Sequence, residues 1–285
     1  MKKLLLLTLL LVMASAPAAW AKVDAFVSIL PQAYFVERIG GELVDVDVLV
    51  GPGQSPATYD PSPRQLTRLA QADVFFRIGV PFENRLIKKI TGAFPDLNVV
   101  DTRRGVKLLH LDEHDHDGHA HHDVQDPHIW LDPLRVKIQA KTIADELARL
   151  DPDHADAYKK NLAAFHAELD RVDKEIKAML APYRGRAFMV FHPAYGYFAD
   201  AYGLRQVAVE RGGREPTPRQ LAHWIDTARK NDIRIVFVQP QFSQNAAERL
   251  ADSIDGAVKP MDPLAHDYLN NLYKMAREIA AALAR

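Results

Sequence analysis

Residues Asp153 to Ala181 read DHADAYKKNLAAFHAELDRVDKEIKAMLA. Their apolar members Tyr158, Leu162, Phe165, Leu169, Val172, Ile176 and Leu180 recur every three or four positions. That is the helical period, so the stretch predicts one helix with a single apolar face. At 1.5 Å per residue its roughly 28 residues would span about 40 Å, enough to cross a whole lobe of a protein. What lies on either side of it decides the fold.

Before it, a helical pattern runs from about Arg135 to Leu150 and is broken by Asp151-Pro152. Further back, the β-rich runs DAFVSIL, VDVDVLV, DVFFRIG and LNVVD are separated by helical patterns such as Pro63 to Ala72. After it the alternation resumes with AFMVF, RQVAVE, RIVFVQ and GAVKPM, and a last helix is expected from Pro263 to Arg285. Strands alternating with helices predict parallel sheets built from βαβ units. The fold class is α/β, with two lobes joined by one long rigid helix. The expected division is an N-terminal lobe over 22–152, the linking helix over 153–181 and a C-terminal lobe over 182–285.

Residues 1–21, MKKLLLLTLLLVMASAPAAWA, combine two lysines, a leucine-rich run and an Ala19-Trp20-Ala21 ending, the pattern of a secretory signal peptide cut before Lys22. No other apolar run approaches the roughly 20 residues that cross a bilayer. The chain has no cysteine, so disulfides, thiolate ligands, a catalytic thiol and a lipidated cysteine are excluded. These features predict a free periplasmic protein without a lipid anchor. A formal net charge of -1 with mixed signs along the chain gives no basic footprint for nucleic acid.

Histidine is distributed less evenly. Seven of the twelve lie between His110 and Trp130, in HLDEHDHDGHAHHDVQDPHIW. The tract from 110 to 123 is polar and without apolar periodicity, so it reads as a surface loop. Its histidines, including His114, His116, His119, His121 and His122, alternate with carboxylates in a composition associated with metal binding. Ordering such a loop costs conformational entropy, so by itself it would bind ions modestly. A merely solvated loop is the weaker rival reading.

Three further positions lie beside apolar runs. His192 follows AFMVF, Asp262 follows GAVKPM, and His128 precedes IWLDP. In open α/β sheets ligands bind beyond the carboxyl ends of strands. Two imidazoles and a carboxylate suit Zn²⁺, with Mn²⁺ or Fe²⁺ as alternatives. No two of these residues are close in sequence, so spacing alone proves nothing. A histidine after a strand is more often a hydrogen-bonded structural residue than a ligand. Asp262 and Asp132 each precede a proline, and each is a natural helix N-cap.

Hydrolase signatures fit poorly. HDHDGH over 114–119 approaches H-x-H-x-D-H, but Gly118 stands where the aspartate belongs. There is no H-E-x-x-H helix and no G-x-S-x-G elbow.

Five segments, GPGQSPATYDPSPRQLTRLAQADVFFRIG, DPHIWLDP, FHPAYGYFADAYGL, FVQPQFS and MDPLAHDY, together resemble the cluster A-I substrate-binding proteins of ABC transporters, periplasmic binders of zinc and manganese. The resemblance covers essentially the whole chain after residue 21. It implies two lobes, a long helix, a metal held in the cleft between the lobes, and delivery of that metal to a membrane permease by a non-enzymatic, monomeric carrier. It places His128 and His192 on the second and third ligand positions and Asp262 on the completing carboxylate. It also implies zinc, because a His-rich insertion before the second ligand marks zinc-uptake members, and manganese binders commonly carry glutamate where His192 stands.

One departure stands out. Where the family carries S-P-H-T-Y-E-P-S-P, this chain reads Ser55-Pro56-Ala57-Thr58-Tyr59-Asp60-Pro61-Ser62-Pro63, and Ala57 offers no donor. A loop histidine could replace the missing one, water could fill the position, or tight binding could be lost. Two other functions stay open from the residues: a zinc hydrolase with water at an open coordination position, and a periplasmic metal buffer with no transporter.

Overall fold

In a computed structural model the structure describes residues 22–110, 125–210, 217–242 and 244–284. The expected signal peptide over 1–21 and the histidines His114, His116, His119, His121 and His122 lie outside them. In the N-terminal lobe, strands β1 (Val23–Ile29), β2 (Val44–Val50), β3 (Val74–Arg77) and β4 (Val99–Asp101) alternate with helices α1 (Leu30–Gly40), α2 (Pro63–Leu69) and α3 (Glu83–Ala93). All pairs are parallel, in the order β2-β1-β3-β4. The C-terminal lobe repeats that order as β6-β5-β7-β8. Its strands are β5 (Ala187–Val190), β6 (Arg205–Ala208), β7 (Ile235–Val238) and β8 (Ala257–Pro260), again all parallel. Helices α6 (Gly196–Tyr202), α7 (Pro218–Lys230) and α8 (Asn245–Ser253) complete it. In each lobe the connections run opposite ways from the two central strands, which opens a crevice at their carboxyl ends.

Helices α4 (Pro133–Leu150) and α5 (Ala155–Leu180) lie between the two series. With 26 residues, α5 is about 39 Å long. It buries Tyr158, Phe165, Leu169, Val172, Ile176 and Leu180 against α4, α1 and the last helix, α9 (Tyr268–Leu283). Each such side chain contributes roughly 1.5–3 kcal/mol on burial. The cluster they belong to is continuous from Val27 and Phe76 in one lobe to Phe188, Val190 and Phe237 in the other. A shared, close-packed core of this kind resists relative motion of the lobes. Among the described residues no helix is long and apolar enough to cross a membrane.

The two predicted caps part company. Asp132 is the N-cap of α4, accepting from the backbone N–H groups of Leu134 at 2.8 Å and Arg135 at 3.4 Å. Asp262 is not a helix cap: α9 begins at Tyr268, with a turn at Pro263 and Leu264 and irregular chain from Ala265 to Asp267 before it. The Asp-Pro signal is the same in both places, but after Asp262 the chain first crosses to Trp130 before a helix can start.

Candidate metal centre

His192 leaves the end of β5 beside the central crevice of its sheet. Gln239, at the end of neighbouring β7, fixes its backbone from both sides. The His192 N–H donates to Gln239 Oε1 at 3.2 Å, and Gln239 Nε2 donates to the His192 carbonyl at 2.9 Å. Phe242 stacks on the imidazole, with centroids 4.9 Å apart and planes at 22°. Nδ1 lies 2.5 Å from Glu210 Oε2. A carboxylate placed there suits the tautomer with the proton on Nδ1 and the lone pair on Nε2. Burial pushes the His192 pKa below its ordinary value, against the opposing pull of Glu210. A neutral imidazole is the form that binds metal.

His128 comes from the other side of the crevice, just before the one-turn helix Ile129–Leu131. Its Nδ1 lies 2.6 Å from Asp126 Oδ1, which also accepts the His128 backbone N–H at 2.9 Å. The same geometry suits Nε2 as the atom left to bind a metal. The rings of His128 and His192 meet edge to face, 5.3 Å between centroids and 73° between planes. Two residues separated by α4, the whole of the long helix α5 and the first strand of the second lobe are thus brought together.

Asp262 stands nearby on a loop held to both histidine segments. Trp130 Nε1 donates to the carbonyl of Pro263 at 2.8 Å, and Tyr195 Oη donates to the carbonyl of Met261 at 2.7 Å. The Asp262 carboxylate itself accepts from the Leu264 N–H at 2.9 Å and from Gln241 Nε2 at 3.3 Å. Among the described residues no three His, Asp or Glu side chains are gathered closely enough to hold an ion. The structure therefore pairs His128 with His192 and leaves Asp262 engaged with Gln241 and its own loop. Ala57 lies exposed in a turn whose carbonyl at Pro56 accepts from the Phe82 N–H at 3.3 Å.

The His-rich tract leaves and rejoins the fold through a narrow antiparallel neck. His110 pairs with Gln125, and the Asp126 N–H donates to the Leu109 carbonyl at 2.9 Å. Tyr197 Oη clasps this neck: it accepts from the Leu109 N–H at 2.8 Å and donates to the Asp126 carbonyl at 2.9 Å. Burial pushes its pKa up to about 12, so it remains a hydroxyl able to do both. The ends of the tract are thus fixed beside the residue that holds His128.

In the N-terminal lobe the corresponding crevice is filled. Buried Glu83 accepts from Ser28 Oγ at 2.6 Å, from the N–H groups of Ile78 and Gly79 at 2.9 and 2.7 Å, and from Arg77 Nε at 3.1 Å.

Asp126, Trp130, Gln239, Gln241 and Phe242 fall within the segments DPHIWLDP and FVQPQFS that carry the resemblance, but sequence reasoning assigns them no part in the site; the glutamate ending the apolar run RQVAVE is the signal for Glu210.

The comparisons agree with this architecture. A family model described as ZnuA, zinc-uptake complex component A, periplasmic, matches residues 26–282. The high-affinity zinc uptake system protein ZnuA of Yersinia pestis is 28% identical over 296 residues, covering 94% of this chain and 93% of that protein. The zinc-binding lipoprotein AdcA of Streptococcus pneumoniae is 28% identical over 268 residues, and there the matched region spans only 51% of the longer relative. A crystal structure of ZnuA superposes with a TM-score of 0.85 at 44% identity, over 92% of this chain and 99% of that one.

Proposed function

Because the chain belongs to the family of periplasmic zinc-uptake component A proteins, we propose that it captures Zn²⁺ outside the cytoplasm through His128 and His192 and presents it to the permease of an ABC transporter. The observation that carries this reading is the pair of imidazoles from the two halves of the chain. They face each other at 5.3 Å, each with Nδ1 held by a buried carboxylate. Imidazole nitrogens suit zinc. Asp262 is the third donor in this proposal, released from Gln241 when the metal arrives.

A histidine of the 110–123 tract is the proposed replacement for the donor missing at Ala57. What supports it is the position of the neck at Leu109 and Asp126, beside His128. Both imidazoles come from one chain, which favours a monomeric carrier. The absence of cysteine favours a form without a thioether-linked lipid, unlike the relative named as a lipoprotein. The family is one of transport components, which sets aside the hydrolase and the stand-alone buffer.

Calorimetric titration of the metal-stripped protein with zinc tests the reading. Tight binding is expected in the wild type and is expected to be lost in both His128→Ala and His192→Ala. Tight binding that survives both substitutions would overturn it.

A further inference from the structure

The two candidate donors are flanked by carboxylates that the proposed metal need not touch. Asp126 and Glu210 have side chains only 2% exposed. Burying a charge is costly unless hydrogen bonds compensate it, so each must be held for a reason. Each aims one oxygen at the Nδ1 of one imidazole, at 2.6 and 2.5 Å.

The two come from different elements. Asp126 sits two residues before its histidine, in the neck. Glu210 follows β6, and its backbone N–H donates to the carbonyl of Phe191, the residue before His192. The same device thus arises twice from unrelated local structure.

Asp126 is itself tightly fixed. Its N–H is bonded to the Leu109 carbonyl and its own carbonyl receives the Tyr197 hydroxyl. Its second oxygen, Oδ2, lies against Gly196, where an added Cβ would come within 2.6 Å. A side chain at position 196 would therefore push the carboxylate away from His128, so glycine is required there by close approach.

We propose that Asp126 and Glu210 are positioning residues that lock both imidazoles in the Nδ1–H tautomer and strengthen Nε2 as the donor atom. Gly196 and Tyr197 hold Asp126 in place for that task. The inference rests on the reading of His128 and His192 as zinc donors. Carboxylates in this relation to a ligating histidine orient the ring and raise its basicity, and their loss typically weakens metal binding about 10- to 100-fold.

The test uses the full chain with ¹⁵N-labelled histidine and reads long-range ¹H–¹⁵N correlations in the metal-free protein. Both rings are expected to show a protonated Nδ1 and an unprotonated Nε2. Asp126→Ala and Gly196→Ala should disturb the pattern of His128 and leave that of His192. Glu210→Ala should do the reverse. Asp126→Asn keeps an accepting oxygen without the charge, so it should preserve the tautomer while raising the zinc Kd about 10- to 100-fold.

Protonated Nε2 atoms in the wild type, or an unchanged His128 pattern in Asp126→Ala, would overturn the proposal, as would an unchanged zinc Kd in Asp126→Asn. The tautomer measurement needs no metal. If His128→Ala and His192→Ala both leave tight zinc binding intact, the functional reading fails while the positioning roles are still judged by the spectra.

Discussion

Trp130 and Pro263 are joined by a hydrogen bond of 2.8 Å from the indole Nε1 to the backbone carbonyl. Trp130 stands two residues after His128 and packs on its ring with centroids 5.2 Å apart, while Pro263 follows Asp262 directly. One buried side chain thus spaces the N-terminal imidazole from the C-terminal carboxylate. Tyr268 secures it from the other side, donating to the Trp130 carbonyl at 2.7 Å.

Trp130→Phe should therefore act on stability and on the site together. Leaving a buried acceptor unpaired costs about 1–3 kcal/mol, equivalent to a fall of roughly 2–4 °C in Tm per kcal/mol for a protein of 150–250 residues. Thermal denaturation checks the first effect, and zinc calorimetry should show weaker binding as the Asp262 loop loses its anchor.

The depressed pKa of His192 fixes the direction of a pH effect. As pH falls below about 6.5, an unfolded-state histidine takes up a proton before the buried one does. The metal-free protein should then lose stability as pH falls from about 6.5 towards the lower folded-state value. This contribution is fully present above that window. Urea denaturation at pH 7.5 and 5.5 checks it, and His192→Ala should lose less on acidification than the wild type.

Replacing His192 by the glutamate common in manganese binders should not simply convert the site. Glu210 Oε2 lies 2.5 Å from the present imidazole Nδ1, so a carboxylate at position 192 would face a second one, and neighbouring carboxylates disfavour joint ionisation. His192→Glu is expected to lose zinc without gaining manganese. The double variant His192→Glu, Glu210→Gln should recover binding with a shifted preference, measured by competition between the two metals.

Deleting residues 112–123 addresses the donor absent at Ala57. A weakened tightest class of zinc sites is expected if a tract histidine completes the site. An unchanged dissociation constant would leave water or another residue in that role.

Much of the architecture was legible because it rests on periodicity. All eight apolar runs read as strands are strands, and the seven apolar positions from Tyr158 to Leu180 mark the long helix. The expected start of the last helix at Pro263 is five residues early because Asp262-Pro263 has the chemistry of a helix start. What delays the helix is Pro263 reaching back to Trp130, a contact 133 residues away in sequence. The residues holding the imidazoles were illegible for the same reason. Glu210 looks like the solvated end of a strand until the fold lays it against His192, and Gly196 looks like a loop glycine until Asp126 is seen against it. His128 and His192 stand out first by their places beside apolar runs and then through the family pattern, not through their spacing.

Anomalous diffraction at the zinc edge from crystals of the zinc-loaded full chain tests the central claim most directly. A single strong peak about 2.0–2.1 Å from Nε2 of both His128 and His192 is the predicted result. A strongest peak away from this pair, or one bound through either Nδ1, would contradict the account.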